Sequence, residues 1–243
     1  MISLLHAPCS KEIYTFISEI HNPAVMITKK SFTTSWNAEE LKILKKLDSP
    51  YKIQTYLDHI KYNSVIETRS PRYVMRNQRA HCTEGALFAA ACLEFIGHAP
   101  LVVDLQAEND DDHVIAIYKL KNYWGAIAKS NFTTIRYREP VYRSLRELAM
   151  SYFEFYFNTI GEKTLRAYSL PHNLNRFNKI CWKTTEKDLD DIGNWLTGAK
   201  HIPLINSAQV KNLDFVGDYL LKSSLIGSNP AGLYIPKSKT SSR

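Results

Sequence analysis

Ahead of residue 80 the apolar positions recur at helical spacing, and after residue 100 they gather into short strand-like runs. Ile13, Phe16, Ile17 and Ile20 share one helical face, which predicts an amphipathic helix over 11–20. Asn37 followed three residues later by Glu40 is a capping box, and Leu41, Leu44 and Leu47 continue its helix. Ser49-Pro50 and Ser70-Pro71 each place a hydroxyl cap before a proline at the first helical position. Ile53, Tyr56, Leu57 and Ile60 give the first of these a buried stripe; Tyr73, Val74 and Met75 follow the second. A fifth helix is Ala-rich through 86–93 and stops at Ile96-Gly97, since alanine favours the helix and glycine its C-terminal exit.

The strand-like runs then begin. Residues 100–105 form the first, an acidic turn from Glu108 to Asp112 follows, and His113 opens the second over 114–118. A third starts at Tyr123-Trp124 and ends at Lys129-Ser130-Asn131. Beyond it the pattern predicts an extended segment over 132–140, ended by Pro140, and a helix over 144–158 carrying Leu145, Leu148, Ala149, Tyr152, Phe153 and Tyr156 on one side. A strand over 165–170, a helix from Thr185 to a Gly198 stop and a helix over 209–221 complete the elements. The tail beyond Gly232, and 236–243 in particular, is expected to fray. No repeat or linker divides the chain. The expectation is one α+β domain over 1–235, with a core at about 70–135, helices within 10–69 before it and a helical extension within 140–225 after it.

Composition narrows the classes without choosing one. A chain of 243 residues, 44% hydrophobic and 23% charged, is long enough for a full core and ordinary for a globular protein. The net charge of +7 is spread over scattered basic residues with no nucleic-acid motif, so nucleic acid is not an expected partner. Four cysteines without Cys-x-x-Cys spacing predict neither a disulfide framework nor a structural zinc site, and no metal is expected. The N-terminal residues lack the pattern of a secretory signal, and no apolar run approaches the ~20 residues that cross a bilayer. The expected setting is cytoplasmic, without membrane attachment and with reduced thiols.

Two residues stand out chemically. Cys82 precedes the Ala-rich stripe instead of lying on it, with His81, Thr83 and Glu84 around it. In the first turn of a helix, free backbone N–H groups and the positive end of the dipole favour a thiolate. Cys92, ten positions on and about a thousand degrees round the helix, lies on a different face and reads as an ordinary buried thiol. His113 shares one strand face with Ile115 and Ile117, opposite Val114, Ala116 and Tyr118. Cysteine at a helix start, then histidine at a strand start, then a polar residue at the next strand end is a nucleophile–base–orienter order. A two-residue turn at Lys121-Asn122 sets Ser130 across from His113, and a three-residue loop sets Asn131 there. The Asn131 carbonyl is the better acceptor for an imidazole N–H, so it is preferred over Ser130. The Cys82 N–H and the side chain of Gln78 are candidate oxyanion donors, and Trp124 a candidate site wall. Arg136, Arg138, Arg143 and Arg146 form a basic group read as pairing with Glu139 and Glu147.

The run His81-Cys82-x-Glu84-Gly85-Ala86, the helix to Gly97, Asp112-His113-Val114, Tyr123-Trp124 and a polar strand end resemble the transglutaminase-like superfamily of papain-type cysteine enzymes over residues 70 to 135. The resemblance implies a cysteine helix packed on an antiparallel sheet that carries the histidine and the third residue. It also implies cysteine-dependent acyl transfer or hydrolysis at amides of a peptide or protein substrate, through a thioester and without a cofactor, with Cys82 as nucleophile and His113 as base. The family's third residue is an aspartate a few positions after the tryptophan, where this chain has Ala128-Lys129-Ser130-Asn131. A catalytically inactive module that binds peptides or proteins is the alternative that this departure suggests.

Overall fold

The computed structural model describes residues 36–237. The helix expected over 11–20, Cys9 and the last six residues lie outside them. The cap signals are realised where they were read. Helix α1 is Ala38–Lys46, with the reciprocal Asn37–Glu40 capping box. Helix α2 is Pro50–His59 under Ser49. The short strand β1, Lys61–Tyr62, leads to α3, Pro71–Asn77, under Ser70. Strand β2, Arg79–Ala80, pairs in parallel with β1 and delivers the chain to α4, Cys82–Phe95.

Helix α4 is buried on nearly every side, which explains its unbroken apolar character. It lies against the inner strands of a seven-stranded antiparallel sheet: β3 (Leu101–Ala107), β4 (His113–Leu120), β5 (Tyr123–Ile127), β6 (Arg138–Tyr142), β7 (Leu165–Ser169), β8 (His172–Asn173) and β9 (His201–Pro203). The order is β6-β5-β4-β3-β7-β9, with β8 also on β3. The alternation read along β4 holds: Val114, Ala116 and Tyr118 join the core with α4, while Ile115 and Ile117 join the opposite core. Side chains from α1–α4 and from α6 (Asp190–Thr197) fill the first core; α5 (Leu145–Met150) and an aromatic segment after it fill the second. The molecule is therefore α+β, with helices covering both faces of an antiparallel sheet.

Several expectations are corrected. The helix over 144–158 ends at Met150, because the aromatic residues that gave it helical periodicity anchor elsewhere: the Tyr152 hydroxyl donates to Arg136 O at 3.0 Å and the Tyr156 hydroxyl to Asp111 O at 2.7 Å. Residues 132–140 hold a 3₁₀ turn, Thr133–Ile135, before β6, and Pro140 sits inside this edge strand, where a missing N–H is tolerated. The helix expected from Thr185 starts at Asp190. That over 209–221 is two short helices, α7 (Ser207–Lys211) and α8 (Asp218–Ser224). The tail past Gly232 is tied down as far as Lys237 rather than loose: Thr159 donates to Tyr234 O at 3.2 Å and the Lys237 N–H to Asn109 Oδ1 at 2.8 Å. The arginines pair mainly with other groups, Arg136 with Asp58 at 3.0 Å and Arg146 with Leu204 O at 2.8 Å. Among the described residues no helix is long and apolar enough to cross a membrane.

Candidate active site

Cys82 is the first residue of α4, after His81 at the N-cap. The position is rigid because the Glu84 carboxylate, fully buried one turn on, braces it. Its Oε2 accepts from the His81 N–H at 3.0 Å and from Asn63 Nδ2 at 2.9 Å, and its Oε1 from the Arg69 N–H at 3.1 Å. One carboxylate thus fixes the helix start against the loop after β1 and sits at the favourable end of the helix dipole.

Across from it, β4 delivers His113, only 4% exposed. Its Nε2 lies 2.9 Å from Ile135 O. A carbonyl only accepts, so Nε2 donates, which leaves Nδ1 for the sulfur. The ring of Tyr156 stands edge-on to His113 at 6.2 Å. The Cys82 sulfur is 3.8 Å from Asp112 O and 3.9 Å from Thr83 Oγ1, and the imidazoles of His113 and His81 are the basic groups that act on it. Burial alone would raise the thiol pKa; the two imidazoles, His113 first, outweigh it and hold the thiol well below its ordinary range. Burial likewise opposes charge on His81, but the sulfur and Glu84 win and keep its pKa above the usual imidazole value. Cys92, with burial and no cation, is pushed well above the ordinary thiol value.

The third position is a main-chain group. The hairpin turns on Lys121-Asn122, both at positive φ, with Leu120 paired to Tyr123. That register carries Ser130 toward His113, but β5 stops at Ile127 because Gln54 intercepts the next residue. Its Oε1 accepts from the Ala128 N–H and its Nε2 donates to Ala128 O, both at 3.0 Å. Released from the ladder, Ser130 Oγ accepts from the Phe132 N–H at 3.0 Å. The Asn131 amide is engaged at both ends with the Asn229 backbone, at 2.7 and 2.8 Å. Ile135 O fills the place for which Asn131 and Ser130 were the candidates.

Two other sequence candidates stand away from the sulfur. Gln78, in the left-handed region at the end of α3, donates to Tyr56 Oη at 2.5 Å and to Met75 O at 2.6 Å, so its amide is spent there. Trp124 pairs with Lys119, six residues along β4 from His113, which at strand rise is ~20 Å away, and it carries the Lys119 ammonium over its ring. The residues that sequence reading missed are His81, Tyr62 and Ile135. His81 offered a signal, being a polar residue at the cap. Tyr62 comes from the short strand β1, twenty positions before Cys82, and Ile135 contributes an atom every residue has. The Tyr62 hydroxyl has no hydrogen-bond partner among the described residues, and its pKa is raised, by burial first and then by the negative charges of Cys82, Asp111 and Glu84. Among the described residues no cluster of three or more His, Cys, Asp or Glu side chains could hold a metal ion. Comparison with protein-family models and with curated proteins finds no match to this chain.

Proposed function

We propose that this protein is a cysteine-dependent amide hydrolase or acyltransferase of the transglutaminase-like, papain-type kind, acting on a peptide or protein substrate. The observation that carries this reading is Cys82 at a helix N-terminus facing an imidazole whose other nitrogen is anchored on a carbonyl. In the mechanism, the Cys82 thiolate attacks the amide carbon and the carbonyl π pair moves onto oxygen. The first-turn amides of α4 and the Tyr62 hydroxyl are suited to stabilise that oxyanion. Collapse breaks the C–N bond, the His113 imidazolium gives its proton to the leaving amine, and a thioester remains on Cys82. Water, or an acceptor amine, then attacks the thioester while His113 takes its proton; the acyl product leaves and the thiolate returns. His81 supports the thiolate from the other side and is a positioning residue in this scheme.

The test uses an activated ester, p-nitrophenyl acetate. The expected result is a burst of nitrophenolate stoichiometric with protein, an acetyl group found by mass spectrometry on the Cys82 peptide, and loss of both in Cys82→Ala. A folded Cys82→Ala protein with undiminished turnover would remove the nucleophile. The binding-module alternative is favoured by one observation, the absence of a side chain in the orienting role. It requires ligand binding without a burst.

A further inference from the structure

The last described residues are tied to the body at two places. On one side Asn229 is held by the Asn131 amide, and Gly232 lies so close to the Tyr62 ring that a Cβ on it would come within 2.6 Å of Tyr62 Cε1. On the other side Thr159 Oγ1 donates to Tyr234 O at 3.2 Å, and Asn109 brackets Lys237, accepting from its N–H at 2.8 Å and donating to its carbonyl at 3.4 Å. The backbone turns extended at Leu233, with φ −93° and ψ 134°. Lys237 lies five positions after Gly232, a reach of at most ~17 Å, so the span between the two anchors is short and direct.

Those anchors flank Cys82. Tyr62 pairs with Ala80, two residues before Cys82, and Asn109 lies in the turn whose Asp112 carbonyl is 3.8 Å from the sulfur. Asn158 bonds Asn109 O at 3.2 Å and Tyr156 bonds Asp111 O at 2.7 Å, so the wall on which Lys237 rests is the same wall that supports His113. The cleft between Tyr62 and the acidic turn therefore accepts a polypeptide backbone, with a residue lacking a side chain against the Tyr62 ring and main-chain groups read by Asn131, Thr159 and Asn109. Main-chain bonds of this kind are how a cleft holds an extended peptide irrespective of most of its side chains.

We infer that residues 229–237 occupy the substrate cleft as an internal peptide, and that the substrate is a polypeptide segment that turns at a glycine, where the 3₁₀ turn Pro230–Gly232 now meets Tyr62, and runs extended beyond it. The inference rests on the proposed reading of Cys82 as nucleophile, and it adds that the tail must leave for a large substrate to enter. A small reagent reaches the sulfur past the tail; a bulky one does not.

The experiment compares two thiol reagents, iodoacetamide and a fluorescein maleimide, on the full chain and on two full-length variants. Gly232→Leu pushes the tail off Tyr62; Asn109→Gly keeps the turn's positive φ and removes the Lys237 anchor. Loss of the Asn109 bonds to Lys237 is expected to raise the maleimide rate at Cys82 about fivefold or more, with the iodoacetamide rate changed less than about twofold. A synthetic peptide of residues 229–237, added to Gly232→Leu, should slow the maleimide again, and the same peptide with leucine at the glycine position should not. Unchanged maleimide rates in variants that fold as the parent does, or no protection by the peptide, would overturn the inference. If Gly232→Leu fails to fold, Asn109→Gly with the same pair of reagents and peptides decides alone. Slow iodoacetamide labelling in every protein would count against the nucleophile itself, whereas the ratio of the two reagents reports only on the tail.

Discussion

At Cys82 burial works against the thiolate, while the imidazoles of His113 and His81 and the end of α4 work for it; the second group prevails. His113 is the larger of the two imidazole contributions. Replacing it by alanine should move the pH at which Cys82 becomes alkylated upward by more than His81→Asn does, read as rate against pH with mass-spectrometric assignment of the modified cysteine. Equal profiles for the parent and His113→Ala would separate the two groups functionally. The pair was legible in the sequence because both residues stand at element starts, where a polar side chain interrupts an apolar pattern. Their orienting partner was not legible. Ile135 acts through its carbonyl, and a main-chain oxygen carries no residue signature. Asn131 carried the right chemistry and a plausible register, but Gln54, 74 positions from Ala128, closes the strand early and sends Asn131 to the tail instead. A contact between such distant positions leaves no trace in local periodicity.

Among the elements, α4 and the end of β5 approach more closely than side chains allow. A Cβ at Gly85 would stand 2.3 Å from Lys129 Cβ, and Lys129 cannot retreat, because its ammonium donates to Leu57 O and Ile60 O, each at 2.7 Å, at the end of α2. Burial lowers the Lys129 pKa to about 8, a further sign of how tightly this corner is enclosed. In an ordinary helix Gly→Ala stabilises by up to ~1 kcal/mol; Gly85→Ala should instead destabilise by about 1–3 kcal/mol through overpacking. The midpoint of urea unfolding gives the sign, and a rise would refute the account of this contact. Cap chemistry made α1, α2, α3 and the start of α4 readable, since Asn37, Ser49 and Ser70 act within three residues of themselves. The aromatic run after α5 misled the periodicity, because Tyr152 and Tyr156 are positioned by distant carbonyls and not by helical neighbours.

Across the whole molecule, β9 is joined to the central strand β3 by a buried side-chain hydrogen bond between His201 Nε2 and Asp104 Oδ2 at 2.8 Å. Burial raises the Asp104 pKa to about 6, with the neighbouring Asp112 adding to it and His201 opposing it. A carboxyl that holds its proton more tightly when folded stabilises the fold below its unfolded pKa. That contribution is lost as pH rises through about 6. Without that donor the ionised carboxylate is more costly still, so His201→Leu should destabilise the protein by ~1–3 kcal/mol at pH 8, as for a buried acceptor left unpaired, and by clearly less at pH 5. Denaturant unfolding at the two pH values checks this, and an equal loss at both would contradict it. Neither β9 nor its histidine was visible in the sequence, because three residues make no periodic pattern.

The central claim is that Cys82 is a thiolate near neutral pH, and the rate of its alkylation by iodoacetamide across pH 4 to 10 tests it most directly. The internal comparison is Cys92, whose thiol burial drives the other way. The expected result is fast modification confined to Cys82, with a midpoint well below the ordinary thiol range, shifted upward in His113→Ala, while Cys92 stays unmodified in the folded protein. A midpoint for Cys82 at the ordinary thiol value, unmoved by removal of His113, would contradict the account.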